Sequence, residues 1–274
     1  MIRYINIDIT TVCNSKCPFC PRTEISKKTK VPKKHLDLEI FKKLDWESLP
    51  VLKHFLLCGN LGEPTLYPDL DNFIKFSHEL NKEITLHTNG ISFNENWWSK
   101  LANKLNPNDR IVFGLDGLTK ETHEKHRGTN FKRLIKNIKA FVNSGGQARA
   151  NFIVFKHNEH ELPKIEYFME TLGITFKIRP SREYNDVLEK PEKKFKFSKR
   201  YLNTRCYPED GEIATDIDGK IHLCCYSATR HYYKDLGLLP ENVTILKKYD
   251  TFRELQKSIY WKYLRKMKFC QRCE

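Results

Sequence analysis

The chain has 274 residues, of which 39% are hydrophobic, 30% charged and 12% aromatic. That composition supports one large hydrophobic core, or one large and one small, and excludes an aromatic-poor disordered chain. Lys and Arg outnumber Asp and Glu by 48 to 34, and the net charge of +14 attracts anions where it is not simply a solvated lysine surface.

No apolar run approaches the roughly 20 residues of a membrane helix, and the opening MIRYINIDIT has no signal-peptide core, so a cytoplasmic location with no membrane partner is expected. Nine cysteines are present, and in a cytosolic chain spaced cysteines read as metal or redox ligands before disulfides.

Taken in chain order, residues 4–9 alternate apolar and polar, a strand pattern. Residues 36–49 place Leu36, Ile40, Phe41 and Leu44 on one helical face, and 51–58 is a short apolar strand. A helix over 69–80, a strand over 83–87, a helix over 94–105 and a strand over 110–115 follow. Helices over 119–125 and 131–144 stop at Gly145-Gly146. A strand over 148–155, a helix over 159–172 and a strand over 174–178 complete six strand–helix alternations. Such alternation implies a parallel sheet with crossover helices, open, doubly wound or curled into a partial barrel.

From about Glu183 the texture changes, and 187–205 reads as an exposed basic strap. Segments 212–216 and 220–223 flank Asp218-Gly219, a hairpin signal. An amphipathic helix is expected over 251–267, before the terminal Cys270-Gln-Arg-Cys273-Glu274.

Cys13, Cys17 and Cys20 form a C-x3-C-x2-C run directly after the first strand, at the end of a parallel sheet where active sites sit. Three thiolates on one loop suit a cubane cluster with one iron left open, while zinc is the competing ion and usually takes four protein ligands. The run, with Phe19 before its last cysteine, resembles the signature of the radical S-adenosylmethionine (radical SAM) superfamily. Gly62-Glu63-Pro64 is similar to that family's GGE element, Thr88-Asn89-Gly90 to its TNG segment, and Gly114-Leu115-Asp116-Gly117 with Arg127-Gly128 to its SLDG…RG pattern. Gly114 stands where the family often has a cofactor-contacting Ser.

The resemblance implies a partial (β/α)6 TIM-like barrel over 1–185. It implies a [4Fe-4S] cluster on Cys13, Cys17 and Cys20. It implies cofactor contacts by Phe19, Gly62, Glu63, Pro64, Asn89, Asp116 and Arg127, with Glu63 on the methionine ammonium and Arg127 on its carboxylate. Reductive cleavage of S-adenosylmethionine to a deoxyadenosyl radical is the implied activity, fed by an external one-electron reductant such as flavodoxin or ferredoxin.

Cys206-x12-Gly219-x4-Cys224 followed by Cys270-x2-Cys273 resembles the Twitch domain, a shortened SPASM domain. The implied arrangement is a basic linker over 186–205 and a small hairpin-plus-helix domain over 206–274. A second [4Fe-4S] cluster would sit on Cys206, Cys224, Cys270 and Cys273; zinc, and Cys225 in place of Cys224, remain open. The layout is similar to the dehydrogenases acting on deoxy-scyllo-inosamine, and implies hydrogen abstraction with the second cluster as electron acceptor. The GTP cyclases of molybdenum cofactor synthesis resemble it too, with a three-cysteine auxiliary cluster.

A dehydrogenation needs a base, with His87, Arg179, Arg182 and Tyr184 as candidates; Arg179 and Arg182 would equally hold an anion. A small-molecule or short peptide substrate, with possible anionic character, is expected, since no leader-recognition domain precedes the first strand. Modification of a nucleotide or nucleic acid, and a non-enzymatic zinc or iron–sulfur module, are the alternatives.

Overall fold

The computed structural model describes residues 1–181, 185–192, 211–238 and 247–258. Its strands are β1 (Tyr4–Ile7), β2 (His54–Leu57), β3 (Glu83–Thr88), β4 (Arg110–Gly114), β5 (Ala148–Val154), β6 (Thr175–Pro180), β7 (Glu212–Thr215) and β8 (Ile221–His222). Its helices are α1 (Pro21–Lys28), α2 (Leu38–Lys42), α3 (Leu70–Glu79), α4 (Glu95–Ala102), α5 (Lys120–Arg127), α6 (Phe131–Asn143), α7 (Ile165–Thr171), α8 (Cys225–Asp235) and α9 (Phe252–Lys257). The chain forms two compact units. One comprises Met1–Cys13, Glu24–Ile84 and Thr204–Glu274; the other comprises Asn14–Thr23 and Thr85–Asn203.

In the first unit the strands run β2-β1-β7-β8. β1 pairs parallel with both β2 and β7, and β8 returns antiparallel to β7. The hairpin read at 212–223 therefore extends a parallel sheet through β1. Its turn is closed by Asp216, whose Oδ1 accepts from the Asp218 and Lys220 amides at 3.0 and 2.9 Å, and by Gly219 at φ +74. Period-two alternation puts Ile5, Phe55 and Ile213 in register on one fully buried face. On that side Phe41, Trp46, Phe55, Phe73 and Phe252 make an aromatic core, with Phe41–Trp46 and Trp46–Phe252 centroids 4.9 and 5.0 Å apart.

In the second unit β3 to β6 pair parallel in the order β6-β5-β4-β3. The helical period of α6 buries Leu134, Ile138 and Phe141, and its rings meet Trp98 of α4 and Phe113 of β4. Asn130 caps α6 by accepting from the Arg133 amide at 2.8 Å.

Several expected elements are shorter. The helix read over 36–49 splits into α2 and a 3-10 turn at Trp46–Ser48, because the Trp46 indole donates to the Phe41 carbonyl at 3.2 Å, a carbonyl a continuing helix would need. The helix over 159–172 begins as a 3-10 turn at Glu159–Lys164, since Pro163 has no amide to donate. Of the helix read over 251–267, Phe252–Lys257 is helical and Ser258 extended, while 259–267 lie outside the described residues. The strap is not uniformly exposed: Leu188 is fully buried, and the Asn185 side chain turns the chain by accepting from the Val187 and Leu188 amides. Helices α1 and α8 went unread, being polar without an apolar period.

Candidate functional site

Residues 14–23 leave the end of β1 as a loop of the second unit, and two segments there hold it, one after β3 and one at the end of α5. Asn89, just past β3, donates through Nδ2 to Asn14 Oδ1 at 2.7 Å and Ser15 Oγ at 2.8 Å, while its own Oδ1 accepts from the Ile91 amide. The Cys17 thiol donates to the Arg127 carbonyl at 3.6 Å. The Cys20 amide donates to the Cys17 carbonyl at 3.3 Å across Phe19, whose φ of +58 is rare for a bulky side chain. Cys13, Cys17 and Cys20 are half-buried and form no disulfide. Burial pushes the Cys17 thiol above its ordinary value, against the pull of Arg127.

Arg127 ends α5 and is anchored by Asp116, beyond β4. The Arg127 Nε and the His126 Nδ1, the latter at 2.8 Å, both reach Asp116 Oδ2, and the Ile153 amide donates to Oδ1 at 2.7 Å. Burial alone would raise the Asp116 carboxyl, but Arg127, His126 and these hydrogen bonds outweigh it and hold it well below the usual range. For Arg127 burial opposes the charge, and Asp116 more than restores it. Asp116, read as a cofactor contact, thus has both oxygens on protein donors and positions Arg127. Gly114 has a concrete reason: a Cβ there would lie 2.7–2.9 Å from the Arg127 guanidinium atoms. The guanidinium fills the place of the family's usual Ser side chain.

In the first unit, Gly62-Glu63-Pro64 leads from β2 into a 3-10 turn. A Cβ on Gly62 would fall 2.0 Å from the Thr10 carbonyl, so only Gly lets this segment lie against the chain leaving β1. The Glu63 amide donates to the Val12 carbonyl at 2.8 Å, and its Oε1 accepts from Thr65 Oγ1 at 2.7 Å. Glu63 is buried, and Pro64 occupies the first helical position.

Cys224 is the N-cap of α8, in extended conformation, with no side-chain cap bond. Helix N-termini favour thiolate. Cys225 instead packs with Ala214 and Ala228 in a small apolar cluster. Cys206, Cys270, Cys273, Arg182 and Tyr184 lie outside the described residues. Among the described residues no three His, Cys, Asp or Glu side chains close around a single ion. That is the geometry zinc needs; a cubane takes each thiolate on a different iron, and three cysteines outside any disulfide on one loop fit it.

The register of β3 to β6 sets His87, Val112, Arg149 and Thr175 in one row, and Asn151 with Lys177 and Ile153 with Arg179 in the rows beyond, all on one face. Arg179 Nε donates to Asn151 Oδ1 at 3.2 Å. Burial, then Arg179, Arg149, Arg127 and Lys177, push His87 down to about 3. His87, read as a candidate base, is therefore neutral and a poor proton acceptor. Arg149 and Lys177 were missed because charged residues alternating along a strand read as its solvated face.

Two solved structures share the fold. SuiB of Streptococcus suis bound to S-adenosylmethionine superposes with a TM-score of 0.67 at 17% identity, covering 96% of this chain and 65% of that one, so the chain spans just under two thirds of it. The anSMEcpe structure with bound AdoMet gives 0.63 at 15% identity, covering 94% and 82%. Both place the chain in an α/β, partial TIM-barrel-like fold with an unclosed sheet. Among curated proteins, GTP 3',8-cyclase of Nautilia profundicola is 26% identical over 84% of this chain and 77% of its own length. A Saccharolobus islandicus protein named as a probable GTP 3',8-cyclase is 25% identical over 81% and 82%. These relatives are cyclases, not the inosamine dehydrogenases whose layout the cysteine spacing resembles. The Radical SAM superfamily model matches residues 7–169, more than half the chain. With the three-cysteine loop, the buried Glu63 and the anchored Arg127 in place, the chain belongs to the radical SAM superfamily.

Proposed function

We propose that the chain abstracts hydrogen from an anionic small molecule or short peptide and completes a net two-electron oxidation. The observation that carries the substrate class is the strand face bearing Arg149, Lys177 and Arg179 around a neutral His87. A [4Fe-4S] cluster on Cys13, Cys17 and Cys20, with S-adenosylmethionine bound and an external one-electron reductant, supplies the deoxyadenosyl radical. The chain's own residues do the rest. Glu63 holds the methionine ammonium, Arg127 its carboxylate, and Asn89 fixes the cysteine loop through Asn14 and Ser15. One hydrogen atom lost to the deoxyadenosyl radical, one proton to solvent and one electron to a second cluster would complete the oxidation. Cys224, capping α8, would with Cys206, Cys270 and Cys273 hold the second cluster that takes the electron.

A second reading, radical rearrangement of a nucleotide, is favoured by the cyclase relatives and by the same cationic face. Both are tested by anaerobic reconstitution, iron counting and deoxyadenosine release under dithionite, with GTP and other anionic metabolites supplied in turn. The oxidation reading expects about eight iron per chain and about four in a Cys13/Cys17/Cys20→Ala variant that cleaves nothing. Cys224→Ser should lose the second set and Cys225→Ser keep it. GTP-stimulated turnover with a rearranged purine would select the nucleotide reading; about four iron in the wild type, with one zinc, would sink the second cluster.

A further inference from the structure

In the second unit, the turn between β3 and α4 holds an aromatic ring out in water. Phe93 sits at φ +58, a left-handed backbone that a bulky side chain rarely adopts, and it is 41% exposed. Its ring stacks on Trp97 of α4, with centroids 4.5 Å apart and planes at 23°. Helix α6 keeps the turn in place. Arg133 donates to the Phe93 carbonyl through Nε at 3.2 Å and Nη2 at 2.8 Å, and Asn137 Nδ2 donates to the Gly90 carbonyl at 2.8 Å. Burial does not select a strained backbone that leaves its ring exposed, so the ring itself has a use.

The surroundings are basic. No residue of α6 is acidic, and its exposed side carries Lys132, Lys136 and Lys139 at i, i+4 and i+7, with Arg133 beside Phe93. Glu95, at the start of α4, reaches Lys136 at 3.5 Å. A lysine stripe alone is usually a solvated face. Here it borders an exposed aromatic pair, which is the composition of a contact surface with an apolar centre and a charged rim. The same turn touches the cysteine loop: the Oγ of Ser92, immediately before Phe93, accepts from Asn14 Nδ2 at 3.2 Å.

We propose that Phe93, Trp97 and the cations of α6 form the docking surface for an acidic electron-transfer protein that reduces the cluster of the cysteine loop. The charge fits the partner, and the Ser92–Asn14 contact sets the surface beside the loop that takes the electron. One electron leaves the reduced carrier and one enters the cluster; no bond or proton is exchanged. This deepens the reading above and rests on it for the cluster. A single-stranded nucleic acid would also meet cations and an aromatic ring, but successive bases need successive platforms, and one face of Trp97 is already taken by Phe93.

The test titrates reconstituted protein with a flavodoxin, an acidic flavoprotein. Binding is read by calorimetry, and deoxyadenosine release is driven either by the reduced flavodoxin or by dithionite. Saturable binding that weakens with salt is expected. It should weaken about tenfold in Lys132→Glu/Lys139→Glu. It should weaken less in Phe93→Gly, which removes the ring, suits the left-handed backbone and so stays folded. Release driven by flavodoxin should fall with binding, and release driven by dithionite should not. Lys53→Glu/Lys75→Glu makes the same charge change on exposed residues of the first unit and should leave both unchanged. Equal weakening by the two charge pairs overturns the proposal, as does flavodoxin binding untouched in Phe93→Gly and Lys132→Glu/Lys139→Glu. So does a greater loss of single-stranded RNA binding than of flavodoxin binding in those variants, which would assign the surface to nucleic acid. Absence of release even with dithionite would sink the radical reading instead, while the binding comparison still decides the surface.

Discussion

The two units bury charge in opposite ways. In the second, Asp116 is fully enclosed yet completely matched by Arg127, His126 and the Ile153 amide. In the first, Asp8 is also enclosed but its carboxylate is hydrogen-bonded by Asn60, with Asp216 as a like charge nearby and His222 only weakly offsetting it. A paired buried carboxylate holds its neighbours in place; one met mainly by dipoles is pushed toward its neutral form. The first anchors its partners and the second does not, though the two strand faces are built on the same period-two alternation.

The largest effect should come from Asp116→Asn. It leaves the Arg127 guanidinium partly uncompensated, and urea unfolding should show a loss of about 3–5 kcal/mol at neutral pH. S-adenosylmethionine affinity should fall with it. A cost smaller than that of Asp8→Asn would reverse the comparison.

Next in size is the pH dependence, whose sign differs between the carboxylates. Asp8 titrates near 6 in the folded chain against 3.8 unfolded, so the native state holds a proton the unfolded one has released. Stability is therefore lost as pH rises from about 4 through about 6, by about 3 kcal/mol at most. Asp116 is depressed instead, and its contribution, present above the unfolded value, is lost as pH falls below it. Asp8→Asn should flatten the stability profile between about pH 4 and 7 while leaving the acid limb intact. A wild-type profile that rises steadily through that window would contradict the Asp8 assignment.

Gly114→Ala sharpens the second unit's side. The added methyl meets the guanidinium at 2.7–2.9 Å, and displacing that group should cost about 1–3 kcal/mol. Binding of S-adenosylmethionine should weaken more than stability does, read by calorimetry against thermal melting. Smallest of all, Asp250→Ala removes an exposed partner of Lys220, and the melting midpoint should not move measurably.

Much of this was legible in the sequence. The alternating strands and helices gave the α/β partial barrel because apolar period is a local property. The order of the cysteine loop, Glu63, Asn89 and Arg127 along the chain carried the resemblance to the superfamily, which the match over residues 7–169 shows. Asp8, Asn60, Asp216 and His222 were not, since four polar residues far apart in sequence show nothing until β1, β7 and β8 pair. Arg149 and Lys177 looked like solvated strand residues for the same reason.

What the sequence determined by itself was the kind of chemistry: three thiols at a fixed spacing after a strand, with a carboxylate and a guanidinium further along. What only the tertiary structure decided was how each charge is balanced. It put the Arg127 guanidinium over Gly114, turned Asp116 into its anchor, made His87 neutral beneath three cations and left Asp8 with Asn60 as its hydrogen-bond partner. Charge balance depends on distance and burial, and neither exists until the strands have paired.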